Sequence, residues 1–382
     1  MGIDIIQSLK SNALVLLEQI RENAPISKRE LQDVTGFSWG LISRLTNELA
    51  NEGYIVSKGK VSTGVGRKPD EFDINPERNY FIGVDFSTSG MLTVLTDLKG
   101  RIIEQSQEKW KKREKMAVLE QIYTVLDDIV ERYAEHNIMG IGFAAQGVVN
   151  VAKGIYVYVS GIEGWNDVPL KTLVEERYGV DVVIAHDPDC LMRCECAFGV
   201  LKGSAETEVV MIHFTPGGGI GMSIMINGQI YLGHHGKAGE IGHVIVGQSE
   251  EGKYDFLDNH ILGKDLEKEY QELTGNKEHT AYDMIVERAR KGDIICNDVI
   301  RRCYRHIGQS IAIVNSLLNP EVIVVHAVSC EDDEVFMDIV DEHLRNVSYD
   351  KSVKLRLSNL KNEAKAVGAS LVVIEKVMND LL

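Results

Sequence analysis

The chain has 382 residues, enough for two or three domains with separate cores. Its 44% hydrophobic and 26% charged residues are ordinary for a soluble globular protein. The N-terminus lacks the succession of a signal peptide and no apolar run approaches membrane-spanning length, so a cytoplasmic protein without a membrane partner is expected.

The net charge of −16 would weigh against a nucleic-acid partner if it were spread evenly. It is not. Residues 1–68 hold nine Lys/Arg and seven Asp/Glu, a balance of +2, which leaves −18 on the rest. A near-neutral head on an acidic body is the asymmetry of a DNA-binding regulator.

The head opens with IIQSLKSNALVLLEQIREN, which has helical periodicity. PISKRELQDVTG follows, with Ser27 as N-cap and Glu30 three residues on, a capping box, and stops at Gly36. FSWGLISRLTNELANEG starts a third helix with Ser38 as N-cap, places Leu41, Ile42, Leu45 and Leu49 on one face, and ends at Gly53. Helix, short turn with a glycine, helix is the helix-turn-helix pattern. YIVSKGKVSTGVGRKP then reads as a strand, a flexible loop and a basic end, which makes a wing.

The second helix of such a unit enters the major groove. Ser38, Trp39, Gly40, Ser43, Arg44 and Asn47 therefore become DNA-facing candidates, with Arg44 the best donor for guanine or phosphate. Lys58, Lys60, Arg67 and Lys68 would serve phosphates. The competing reading of this segment is a small helical appendage for oligomerisation.

After Pro76, FIGVDFSTSGMLTVLTDLKGRIIEQ reads as strand, turn, strand, turn, strand. MIHFTPGGGIGMSIMINGQIYLG repeats the layout at a constant offset of 128, with Phe86 on Phe214, Gly90 on Gly218, Gly100 on Gly228 and Ile102 on Ile230. Such self-similarity suggests two related lobes. Between the copies lie a helix over about 114–136, the strand IMGIGFAA, a long loop, a helix over about 169–178, and the strand DVVIAHD leading into a cysteine-bearing helix. Helices dominate from 262 to 318, before the strand VIVVHAV and a final helix. Mixed strands and helices in two lobes make an α/β architecture with a ligand cleft.

Six cysteines, at 190, 194, 196, 296, 303 and 330, form no CxxC pair. Cys190, Cys194 and Cys196 could meet on a helix, but zinc spacing is absent, so buried thiols without metal or disulfide are expected.

VTGFSWGLISRLTNELANEGYI, GRKP before NPERNYFIGVDF, GWNDVPL, PGGGIGMSIMINGQIYLGHHGKAGEIGH, and NPEVIVV followed by AVGASLVV together resemble the ROK family (repressor, open reading frame, kinase) over nearly the whole chain. The branch resembled is that of transcriptional repressors with a winged helix ahead of the body. The resemblance implies a two-lobed sugar-kinase/actin-like (ribonuclease H-like) α/β body. Its expected domains are 1–70 for the winged helix, 71–195 plus 366–382 for the first lobe, and 196–365 for the second, effector and dimerisation lobe.

The resemblance also implies roles. In the family the glutamate of E-x-G-H, here Glu240, binds sugar hydroxyls, and the histidine, here His243, is usually a zinc ligand completed by three cysteines. The following stretch HVIVGQSEEGKYDFLDN has none, so zinc is not expected. Asp258 stands where the family has a second sugar-binding glutamate. Asp187 matches the catalytic aspartate of family kinases, which takes the sugar hydroxyl's proton, while His186 replaces the preceding asparagine. The first phosphate loop has become Asp85-Phe86-Ser87-Thr88-Ser89, without its glycines, and the second survives in part as Gly217-Gly218-Gly219-Ile220-Gly221. A later glycine pair is replaced by His326-Ala327, so ATP binding and kinase activity are expected to be lost, with Asp187 vestigial and no cofactor.

The expected function is a DNA-binding repressor controlled by a sugar or sugar-like effector. Its pocket candidates are Glu240, His243, Asp187, His186 and Asp258, with Asn150 and Gly147 on a facing loop. Reading two half-sites calls for a homodimer or higher homo-oligomer. The rivals are an ATP-dependent sugar kinase with an accessory DNA-binding head, and a regulator whose effector is a protein or a non-sugar metabolite. If KAGEIGH were only a braced turn, Glu240 and His243 would hold no ligand.

Overall fold

In the computed structural model the described residues are 2–60, 70–215, 219–234, 236–248, 252–275, 280–327 and 333–381. The chain folds into two compact units, Met1–Cys190 with Lys365–Leu382, and Leu191–Ala364.

The first unit begins with α1 (Gly2–Asn23), β1 (Ile26–Ser27), α2 (Lys28–Thr35), α3 (Trp39–Asn51), β2 (Ile55–Lys60) and β3 (Asp70–Ile74). The Ser27–Glu30 capping box forms in both directions, and Gly36 closes α2 in the left-handed conformation. Ser38 caps α3 by accepting from the Leu41 amide at 3.4 Å. Ile42, Leu45 and Leu49 are buried, as expected. Leu41 is only half-buried, and Thr46 takes its place because its hydroxyl donates to the Ile42 carbonyl at 2.8 Å and so loses no partner on burial. The wing is a three-stranded antiparallel sheet in the order β1-β3-β2, with two strands that the sequence pattern did not announce. Arg67 and Lys68 lie outside the described residues, as do Gly217, Gly218 and Cys330.

The rest of this unit is β4 (Asn79–Phe86), β5 (Gly90–Thr96), β6 (Ile102–Lys109), α4 (Lys115–Arg132), β7 (Asn137–Ala145), β8 (Val148–Asn150), β9 (Ile155–Tyr158), β10 (Asn166–Val168), α5 (Leu170–Tyr178) and β11 (Asp181–His186). The five-stranded sheet runs β11-β7-β4-β5-β6, with β4 parallel to β7 and antiparallel to β5. Phe86, Trp110, Tyr156 and Trp165 pack ring against ring in its core. The loop after β7 is itself a small sheet, β10-β9-β8. An ion pair of 2.5 Å between Asp73 and Lys99 ties the wing to the β5–β6 turn.

Helix α6 (Asp187–Phe198) carries the chain from one unit to the next. The second unit then holds β12 (Val209–Thr215), β13 (Gly219–Ile226), β14 (Gln229–Ile230), β15 (Ile245–Gln248), β16 (Tyr254–Phe256), α7 (Gly263–Thr274), α8 (Tyr282–Arg290), α9 (Ile294–Leu318), β17 (Val322–Ala327), α10 (Asp333–Val347) and β18 (Lys354–Leu357). The last helix, α11 (Ala364–Leu381), returns to the first unit.

The second sheet runs β14-β13-β12-β17-β18, the order of the first sheet read from its other end. In both, a three-stranded meander is extended on the side of its first strand by two parallel strands. Gly100 and Gly228 turn both meanders with φ of 76° and 74°. The duplication is therefore structural, with one slip: Phe86 pairs with Met91, but Phe214 pairs with Ile220, one residue farther on.

Candidate functional site

On the winged-helix head, α3 presents an open face. Trp39 is 54% exposed, and Gly40, Arg44 and Asn47 are exposed beside it. Ser43 is half-buried and accepts from the Lys28 ammonium at 3.2 Å. Arg44 pairs with Glu48 one turn on at 3.3 Å, both about half exposed, so the pair holds the guanidinium weakly. Lys58 on the wing lies 3.8 Å from Asp73 and stays 47% exposed.

In the first unit, Asp187 stands at the start of α6 and belongs to a buried ionic cluster. The Lys365 ammonium is 3.1 Å from Asp85 Oδ2 and 3.9 Å from Asp187 Oδ2. Small residues put it there. A Cβ on Gly83 of β4 would overlap the Ala366 carbonyl, and one on Gly142 of β7 would overlap that of Ala369, so α11 lies directly on the strands. Burial pushes the Asp187 carboxyl up to about 6; Lys365 and Asp85 pull in opposite directions, and His186 opposes the rise. Burial would lower the Lys365 ammonium, but Asp85 and Asp187 outweigh it and hold it raised. Oδ1 of Asp85 is buried without a hydrogen-bond partner among the described residues.

The loop after Asp85 uses its own amides. The Ser87 amide donates to the Gly90 carbonyl at 2.9 Å and the Thr88 amide to Gln146 Oε1 at 3.1 Å. Trp110 Nε1 donates to the Ser87 carbonyl at 2.8 Å. The two remaining candidates of this unit have local duties. Asn150 Oδ1 accepts from the Lys153 amide at 3.1 Å and caps a 3₁₀ turn. Gly147 has a φ of 111°, and any Cβ there would press on the Tyr158 carbonyl.

The KAGEIGH segment lies in the second unit, where Glu240, His243 and Asp258 come together. Ile241–His243 form a 3₁₀ turn whose Ile241 and Gly242 are buried while Glu240 and His243 are exposed. A Cβ on Gly239 would overlap the Met222 carbonyl, and the Met222 amide donates to the Gly239 carbonyl at 3.1 Å, so the turn is pinned to β13. Gly242 is the seat of the Asp258 carboxylate, both of whose oxygens a Cβ there would strike. Burial raises the Asp258 carboxyl; Glu240 adds to the rise, while His243 and Lys264 oppose it. Asp258 Oδ1 is buried and has no hydrogen-bond partner among the described residues.

A zinc site does not fit these donors. Around His243 stand two carboxylates and the Phe256 ring at 6.4 Å, with no thiolate. Among the described residues no three His, Cys, Asp or Glu side chains are placed to hold a metal. Sequence reasoning missed Lys365 and the seat at Gly242. Lys365 could not have been paired with a residue 280 positions away, but the glycine directly before a candidate histidine was a usable signal.

Comparisons with known proteins agree with this construction. The ROK family model matches residues 81–376, and a winged helix-turn-helix DNA-binding model matches residues 9–56. A putative xylose repressor from Caldicellulosiruptor sp. (strain Rt8B.4) is 26% identical, with 96% of each chain covered. The N-acetylglucosamine repressor of Escherichia coli O157:H7 is 24% identical, covering 100% of this chain and 96% of its own. Among solved structures, a ROK family transcriptional regulator described as a homologue of the E. coli MLC protein superposes with a TM-score of 0.81 at 22% identity, over 97% of both chains. A ROK family glucokinase from Streptomyces griseus, in complex with glucose and AMPPNP, gives 0.63 at 23% identity over 77% of this chain and 98% of its own. With the family matched across the body and a DNA-binding winged helix ahead of it, the chain belongs to the ROK family, in its branch of transcriptional regulators.

Proposed function

We propose that the chain represses transcription by placing α3 and its wing on DNA, and that a sugar or sugar-like ligand held by Glu240, His243 and Asp258 controls that binding. The observation that carries the reading is the glycine-seated turn. It exposes Glu240 and His243 beside a carboxylate with an unsatisfied buried oxygen. Sugar hydroxyls need acceptors that outcompete water, and carboxylates accept them with charge-assisted strength. Relatives covering nearly the whole chain are named as repressors for xylose and N-acetylglucosamine. Arg44 is the main base- or phosphate-contacting residue, and a homodimer presents two copies of α3 to two half-sites.

Phosphoryl transfer is not part of this function. Asp187 is the matching residue for a proton acceptor, but Lys365 holds it in an internal ionic cluster. The Ser87 and Thr88 amides, which a phosphate would need, are taken by Gly90 and Gln146. Both observations favour a regulator over a kinase. Among the described residues no helix is long and apolar enough to cross a membrane.

The test is DNA binding to the promoter region of the protein's own gene, with and without the best ligand from a thermal-shift panel of monosaccharides and sugar phosphates. Glu240→Gln is expected to remove most of a ligand response worth about 1–3 kcal/mol while leaving ligand-free DNA affinity intact. A response equal to the parent's in Glu240→Gln and His243→Ala would place the effector elsewhere. Sugar-dependent ADP release abolished by Asp187→Asn would restore the kinase reading.

A further inference from the structure

The second unit contains a cavity that shares no residue with the Glu240 turn. It has a volume of about 250 Å³ and lies between α9 and α10, lined by Arg301, Arg305, Ile339, Glu342, His343 and Asn346. Arg301 and Arg305 stand one turn apart on α9, so both guanidinium groups serve one face. Neither has an ion-pair partner among the described residues, whereas Arg302 between them is paired with Glu269 and Asp298. His343 and Asn346 are three apart on α10 and face them. Gly308 lets α10 come this close: a Cβ there would sit 2.8 Å from that of His343. Burial, helped by the charges of His260, His343 and Arg305 and opposed by Asp255, holds the neighbouring His306 imidazole down to about 4.

We infer that this cavity binds a small, hydroxylated phosphate monoester. Two planar guanidinium forks, an imidazole and an amide offer more donors than a carboxylate's two oxygens can use, but they suit the three terminal oxygens of a phosphate. The volume is roughly eight times a water's share of about 30 Å³, which leaves room for a short carbon body beside the phosphate. Glu342 selects against a bare anion. Its carboxylate repels charge but accepts hydrogen bonds from hydroxyls on that body.

Isothermal titration of the full-length protein with glycerol 3-phosphate, inorganic phosphate, acetate and glycerol tests the assignment. Glycerol 3-phosphate is expected to saturate at millimolar concentration or below and inorganic phosphate to bind several-fold more weakly, with no binding of acetate or glycerol. Arg305→Lys, which keeps the charge but loses the fork, should weaken the ester several-fold, and Arg301→Gln with Arg305→Gln more than tenfold. Glu342→Gln should narrow the gap between ester and inorganic phosphate. Absence of saturation by the ester at about 10 mM, where affinity falls below roughly 3 kcal/mol, would overturn the site. So would binding unchanged in Arg305→Lys, or binding abolished by Glu240→Gln, which would move it to the turn.

Discussion

The two carboxylate centres of this chain are built in opposite ways. In the first unit, Asp85 and Asp187 are held by a lysine on a helix laid flat on two strand glycines. In the second, Glu240 and Asp258 flank a surface turn, with an exposed histidine between them in sequence and no lysine salt bridge to either among the described residues. The first centre sets one lysine against two carboxylates, with Asp85 Oδ1 left without a hydrogen-bond partner among the described residues, and through that lysine contributes to cohesion. The second leaves its charges available and so is suited to recognition.

Removing the lysine should therefore give the largest effect. Lys365→Met leaves the buried Asp85 carboxylate without its ion-pair partner and takes one of two cations from the half-buried Asp187, and breaking a buried pair costs about 3–5 kcal/mol. Urea unfolding at neutral pH measures it. A loss below about 1 kcal/mol would show that the cluster is not a cohesive element.

A smaller and pH-dependent effect is expected at Asp187. Its folded-state value is raised to about 6 from an ordinary 3.8, so the folded protein prefers the protonated acid. The contribution to stability is fully present below about 4 and is lost as pH rises through about 6, by at most about 3 kcal/mol. Asp187→Asn cannot ionise and should not lose it. Compared with the parent, the variant should gain stability as pH rises from about 4 to about 7, with no further change above that. Parallel stability curves for the two proteins over that range would remove the basis for this assignment.

Legibility in the sequence followed the range of the interaction. Ser27, Glu30 and Ser38 announced their helices because caps act within four residues. The repeated meander was visible because each copy is contiguous, although the one-residue slip at Phe214 needed the pairing itself. Strand β1, with two residues, and β18, with four, were too short to show a pattern, and α10 was hidden behind the acidic run that starts at Glu331. The site divided in the same way. Glu240, His243 and Asp258 were read by resemblance and lie together. The Asp85–Lys365 pair is a tertiary fact, and the internal use of the Thr88 amide by Gln146, 58 residues on, is another.

The smallest stability effect should accompany the sharpest test of the recognition turn. A Cβ at Gly242 collides with the end of a short side chain, not with backbone, so the Asp258 carboxylate can swing aside. Its Oδ1 has no hydrogen-bond partner to lose among the described residues. Gly242→Ala should then cost no more than about 1 kcal/mol, the lower end for overpacking, in the same urea assay. What it removes is the placement of one acceptor against Glu240 and His243. Ligand response in the DNA-binding assay should fall as far as it does in Asp258→Ala, and the double variant should fall no farther, because both changes empty the same position. If Gly242→Ala retains the parent's response, Asp258 does not touch the ligand, and Glu240 and His243 bind it alone.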